Sequence, residues 1–98
     1  MARKETILIV DDHPLVRDGL KSIIKSNDAL EVIGEAENAQ SARKMIKALK
    51  PDLVLLDLGL PDESGFDLAR EIRRMMPNTR VTIERIEAFS GYGLRVIE

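Results

Sequence analysis

Leu53–Gly65 reads LVLLDLGLPDESG: four apolar residues in a row, an aspartate, then a turn through Leu-Gly-Leu-Pro. A short unbroken apolar run between Pro51 and a Gly-Pro turn fits a strand covered on both faces. Such strands belong to parallel sheets. In those sheets the carboxyl ends all point one way, toward the crevice where ligands bind. A charge closing the run therefore marks a rim, because the core itself has no use for it.

The same grammar extends upstream. Residues 6–10, TILIV, form a β-branched run that ends on Asp11-Asp12. Pro14 then opens a helix in which Val16, Leu20, Ile23 and Ile24 recur at helical spacing, with Asp12 or His13 as its cap. Ser26-Asn27-Asp28 closes it. LEVIGEA, residues 30–36, predicts a second strand with Gly34 as its weak point. Asn38 caps a second helix whose inner face is Ala42, Met45, Ile46 and Leu49, and Pro51 ends it. Downstream of the opening stretch, Ser64 caps a third helix with Phe66, Ala69, Ile72 and Met76 on its buried stripe. Pro77-Asn78 stops that helix, and a fourth strand begins near Arg80. Strands alternating with helices predict an α/β fold with a parallel sheet.

After Val81 the pattern changes. RVTIERIEAF alternates imperfectly, SGYG is a turn, and LRVI alternates again. This predicts a C-terminal β-hairpin, antiparallel in its last strand. A short distorted helix over Glu84–Phe89 is the alternative.

The composition narrows the function classes. All 98 residues fit one small domain (1–98), with an aliphatic core, since there are two Phe, one Tyr and no Trp. Acids and bases nearly cancel to a net charge of -2, which offers nucleic acid or an anionic membrane no electrostatic attraction. The absence of cysteine rules out disulfides and thiolate metal sites. No apolar run approaches the ~18–20 residues of a membrane span, and MARKETILIVDD does not read as a secretory signal, so a cytoplasmic location is expected.

Asp11-Asp12 ends the first strand and Asp57 ends the third. If the second strand lies outside the first, these ends are neighbours and three carboxylates converge. They would repel one another unless a cation sat among them or one took up a proton. A hard divalent ion such as Mg²⁺, held by carboxylates, a main-chain carbonyl and water, answers that problem. Each acid also has a plainer use, as a turn former or helix cap. His13 reads as an exposed helix-start residue, Gly59 and Gly65 as turn residues, and Asp62-Glu63 as a solvated loop. What favours a site is the conjunction of DD after one apolar strand and D after another.

These residues resemble a known family. ILIVDDHPLVRDGL, VIGEAENA and PDLVLLDLGLPDESGFDLAREIR are similar to the receiver domain of bacterial two-component response regulators, most of all the NarL/FixJ group with LuxR-type effector domains. The likeness covers residues 5 to about 81. It implies a flavodoxin-like, three-layer fold of strand order 2-1-3-4. It also implies that Asp57 is the phosphoacceptor of a phosphorelay. By the same likeness Asp12, Asp57 and the carbonyl of Gly59 would hold Mg²⁺, with Asp11 contributing through water. Pro61 and Gly65 would shape the following loop, and a sensor histidine kinase would be the phosphoryl donor. No DNA or membrane contact is implied, and no enzymatic activity beyond self-phosphorylation and dephosphorylation at Asp57.

The tail departs from that pattern. The family places a Thr or Ser at the end of strand four, where counting puts Arg85, and Thr82 comes too early. It places a Lys at the end of strand five, but the last lysine here is Lys50, and Arg95 or Ile97 stands in that region. Residues 1–80 thus read as receiver and 81–98 as a foreign strand or hairpin replacing the last helices. The expectation is a recombined or engineered chimera, which an uninterrupted natural gene for all of it would remove. Signalling would be impaired for want of the switch residues. A folding scaffold without activity is the alternative function. A nucleotide or flavin binder is disfavoured because no G-x-G-x-x-G or P-loop follows any strand. With the last helices gone, one sheet face would be covered mainly by the first helix, so a homodimer is expected.

Overall fold

A computed structural model describes residues 3–87 and 95–97. The elements run β1 (Glu5–Val10), α1 (Pro14–Lys25), β2 (Leu30–Ala36), α2 (Ala39–Leu49), β3 (Leu53–Asp57), α3 (Gly65–Met75), β4 (Arg80–Glu87) and β5 (Arg95–Ile97). They form one sheet of order β2-β1-β3-β4-β5. The first four strands are parallel, and β5 pairs antiparallel with β4 through Arg85↔Ile97, Ile86↔Val96 and Glu87↔Arg95. The flavodoxin-like order 2-1-3-4 and the antiparallel last strand are as the sequence predicts. β4 runs through Glu87 in place of the alternative helix. The SGYG turn, residues 90–93, and Phe89 lie outside the described residues.

The strands sort their side chains by parity. Leu8 and Val10 of β1, Val54 and Leu56 of β3, and Val81 and Ile83 of β4 enter the core beneath α2 and α3. Ile7, Ile9, Leu53 and Leu55 face the other way, against Leu20 and Ile24 of α1. Each fully buried leucine or isoleucine contributes roughly 1.5–3 kcal/mol. The alternation holds because successive residues of a strand point to opposite faces. Gly34 is indeed where β2 is irregular: Ile7 pairs Val32 while Leu8 pairs Gly34, leaving Ile33 as an extra residue.

The helix ends follow the local chemistry. Asn38 accepts from Ser41 N, and Ser64 accepts from Phe66 N. His13 occupies the cap of α1 without a side-chain cap bond, and Pro14 follows at the first helical position. α2 stops at Lys50, which takes a left-handed φ of 47° ahead of Pro51.

Three residues of the expected helix stripes are exposed: Ile23, Leu49 and Phe66, at 50%, 42% and 58%. Phe66 sits in the first turn of α3, short of the sheet, and Leu68 takes the buried place, joined by Ala69 and Ile72. The Asp62-Glu63 loop also proves to be tied down. Asp62 accepts from Ala39 N (2.9 Å) and Gln40 N (3.1 Å), two free amides at the start of α2. Those amides hold its carboxyl below the ordinary carboxylate range. Glu63 pairs with Arg43, which also reaches Glu71 of α3. The loop after β3 is thus clamped to α2.

Candidate functional site

The chain leaves β1 for β2 on one side and returns for β3 on the other, so β1 and β3 are adjacent, with Val10 beside Leu56. This is the switch point of the sheet, and a crevice opens beyond the carboxyl ends there. One residue past Val10 is Asp11; one past Leu56 is Asp57, which pairs in register with Glu84 of β4. By parity Asp11, Asp57 and Glu84 continue the rows that face α1. Three carboxyls therefore lie side by side on three adjacent strands, about one strand spacing of ~4.8 Å apart.

Asp12 turns the corner into α1 and brings a fourth. A ligand atom from each of Asp11, Asp12, His13 and Asp57 lies within 4.8 Å of the others. The geometric premise of the sequence reading, that the three aspartates converge, holds. Asp11 is almost fully buried, with its main chain fixed from both sides. Its N–H donates to the carbonyl of Ala36 at 2.9 Å, and its own carbonyl accepts from Arg17 Nη1 at 2.6 Å. Arg17 is in turn braced by Glu35. Gly59 stands at the rim, its amide donating to Asp57 Oδ1 at 3.1 Å.

Two groups join the site that the sequence reading did not assign to it. His13 is exposed, as expected of a helix start, yet its Nδ1 lies 2.7 Å from Asp11 Oδ1, 3.0 Å from Asp12 Oδ1 and 3.8 Å from Asp57 Oδ2. The hydrogen bond to Asp11 raises its pKa above the ordinary value. Glu84, 3% exposed, is the other. Burial first, then the charge of Asp11, a hydrogen bond with Asp11 and the charge of Asp57, push its pKa up to about 8. At neutral pH it is a neutral acid. A charged residue inside the strand pattern TIERIE was the available signal. Register sets Glu84 opposite Asp57; the side chain of Arg85, which counting places at the family's hydroxyl position, lies outside the described residues.

The pocket suits a hard cation. Burial raises the pKa of Asp57, with Asp11 and Asp12 adding repulsion, against the pull of the Gly59 amide and of His13. Glu84 Oε2 is buried and accepts no hydrogen bond, and Asp12 Oδ1, also buried, has only the charge contact with His13 Nδ1 at 3.0 Å. Unmatched buried oxygens on crowded carboxyls are what a divalent ion would satisfy.

Comparison with known proteins bears on the same residues. The profile described as "Response regulator receiver domain" matches residues 7–88. Over 86 residues the chain is 43% identical to a protein-glutamate methylesterase/protein-glutamine glutaminase of Vibrio vulnificus, covering 88% of this chain and 25% of that protein. Over 78 residues it is 36% identical to the nitrate/nitrite response regulator protein NarL of Escherichia coli, covering 80% and 36%. The chain spans about a third or less of the length of these curated relatives. A LuxR-family two-component response regulator from Aurantimonas superposes with a TM-score of 0.79 at 32% identity, covering 91% of this chain and 64% of that one. Among the described residues, no helix is long and apolar enough to cross a membrane.

Proposed function

The chain belongs to the response regulator receiver family, and from that premise we propose that it accepts a phosphoryl group on Asp57. The observation that carries this is the convergence of Asp11, Asp12 and Asp57 at the sheet's switch point, within 4.8 Å. A carboxylate oxygen of Asp57 attacks phosphorus, forming an O–P bond. The bond from phosphorus to the donor breaks, and its electron pair leaves with the donor: an imidazole nitrogen of a sensor histidine kinase, or acetate when acetyl phosphate is used. Mg²⁺, when bound, supplies the positive charge that offsets the phosphoryl oxygens. Asp12, Asp57 and the Gly59 carbonyl would hold it, with Asp11 acting through water. The Gly59 amide fixes the Asp57 carboxyl, and Glu84, neutral at pH 7, adds no repelling charge to the incoming group. No turnover of an outside substrate is proposed.

We propose further that this acceptance is poorly transmitted, because residues 51–98 contain no lysine to pair with the phosphoryl oxygens. Incubation with acetyl phosphate and Mg²⁺, followed by intact mass measurement, is expected to show the mass gain of one phosphoryl group. Asp57→Asn is expected to abolish it. An unmodified wild-type protein would refute the proposal.

We also propose that the chain associates with itself through the face carrying α1. Among the described elements α1 alone packs on that side, and it exposes Leu15 and Ile23. Light scattering over a concentration series is expected to show mass rising toward a dimer; a constant monomer mass would exclude it.

A further inference from the structure

The two sides of the crevice are fastened to one corner of the fold, the turn from β2 into α2. On the β1 side the link is direct. Asp11 N–H donates to the carbonyl of Ala36 at the end of β2, and the Asp11 carbonyl accepts from Arg17, which Glu35 of β2 braces. On the β3 side the link is made at a distance, by Asp62. Its Oδ1 accepts from Ala39 N at 2.9 Å and its Oδ2 from Gln40 N at 3.1 Å.

α2 already has a cap of its own in Asn38, but that side chain serves Ser41 N. The first two amides of the helix are left to the loop after β3, and the partial positive charge of a helix start favours a carboxylate there. Glu63 adds a second tie. Both of its oxygens meet the guanidinium of Arg43 in α2, which also takes both oxygens of Glu71 in α3. Joining β3 to α3 does not by itself require two consecutive carboxylates turned onto a neighbouring helix.

The path from this anchor to the acceptor is short and stiff. Only Leu58, Gly59, Leu60 and Pro61 lie between Asp57 and Asp62. Leu60 is buried in the core beneath α2 and α3, and the ring of Pro61 fixes its φ. Gly59 N–H donates to Asp57 Oδ1 at 3.1 Å, so the orientation of the acceptor carboxyl depends on where the loop holds that amide.

We propose that Asp62 is a positioning residue for the phosphoacceptor: by capping α2 it holds the Asp57–Gly59 turn in a fixed place relative to Asp11. The inference rests on the reading that Asp57 accepts a phosphoryl group, and it adds which residue outside the crevice sets the geometry. Asp62 acts through the loop and not on the reacting atoms.

Asp62→Ala, Asp62→Asn and Thr79→Val test this against the wild type. Thr79 donates a buried hydrogen bond to the carbonyl of Pro51 at 2.8 Å, at the opposite end of the sheet. Its valine variant therefore loses stability without touching the loop, and urea denaturation places all the variants on one scale. With Mg²⁺ and saturating acetyl phosphate, Asp62→Ala is expected to be phosphorylated about tenfold more slowly than wild type, with the donor concentration at half-maximal rate little changed. Asp62→Asn keeps one acceptor oxygen and is expected to fall between the two, while Thr79→Val matches the wild type. In NMR spectra recorded without donor, the Gly59 amide is expected to exchange with solvent several-fold faster in Asp62→Ala and at the wild-type rate in Thr79→Val. A wild-type phosphorylation rate in Asp62→Ala, a slowing that Thr79→Val shares, or an unmoved Gly59 amide overturns the inference and leaves the phosphoacceptor reading standing. If the wild type takes up no phosphoryl group, that reading falls, and the Gly59 amide alone decides whether Asp62 holds the turn.

Discussion

Replacing Glu84 by glutamine is expected to stabilise the metal-free protein by about 2 kcal/mol at pH 8, and to leave it little changed near pH 4. The sign follows from the direction of the shift. In the unfolded chain Glu84 ionises at its ordinary value of 4.5; in the fold it does so at about 8. Between those values the native state binds the proton and the unfolded state does not. The stability associated with the neutral acid is therefore complete below pH 4.5 and is lost as pH rises toward 8. Glutamine keeps the shape, stays neutral at every pH and can donate to Asp11, so the slope disappears. The full shift would correspond to more than is expected here, because the Asp57 carboxyl that acts on Glu84 is partly open to water, which screens its charge. Asp11 and Asp57 face Glu84 from β1 and β3, and His13 stands beside both at the start of α1; all three are present in both proteins. Urea denaturation from pH 4 to pH 9 in EDTA measures it. Parallel curves for the two proteins would show that Glu84 does not titrate in this range.

Gly65→Ala is expected to cost about 1–3 kcal/mol and to weaken cation binding as well. A Cβ on Gly65 would lie 2.6 Å from Leu58 Cα and 2.8 Å from the carbonyl oxygen of Asp57. Both are main-chain atoms and cannot swing aside as a side-chain tip could. The Gly65 N–H also donates to the carbonyl of Leu58 at 3.2 Å, so α3 begins against the backbone that carries Asp57. Room for a methyl must come from moving Asp57 and Leu58 or from unwinding the first turn of α3. Thermal unfolding and a cation titration of the same variant report the two effects together. A variant as stable as wild type with unchanged affinity would mean that the loop yields freely. That outcome is at odds with the Asp62 and Glu63 anchors that tie it to α2.

The apolar runs ILIV and LVLL, the Pro and Asn punctuation and the helical spacing of Leu20, Ile24, Ala42, Ile46, Ala69 and Ile72 were enough to define an alternating α/β chain, because they report local propensity and the period of burial. They were also enough to set Asp11, Asp12 and Asp57 at strand ends, where a parallel sheet turns carboxyl termini into a rim. Phe66 shows the limit of that reading: its spacing fits the buried stripe, but whether the first turn of a helix reaches the sheet depends on where the preceding loop delivers it.

Glu84 and Asp62 mark the same limit at the site. Nothing near Asp62 in the sequence reveals the free amides of Ala39 and Gln40 that it caps, because they belong to a different βα unit. Nothing near Glu84 reveals Asp57, since which residue of β4 stands beside it is a matter of register, and a slip of one would turn Glu84 to the opposite face. The order of residues thus determined the elements, the alternation and the acids at the rim, all of which depend on neighbours a few positions apart. Only the packed sheet decided that a fourth carboxyl is buried among them, because pairing between strands far apart in sequence is fixed by the joint burial of both sheet faces.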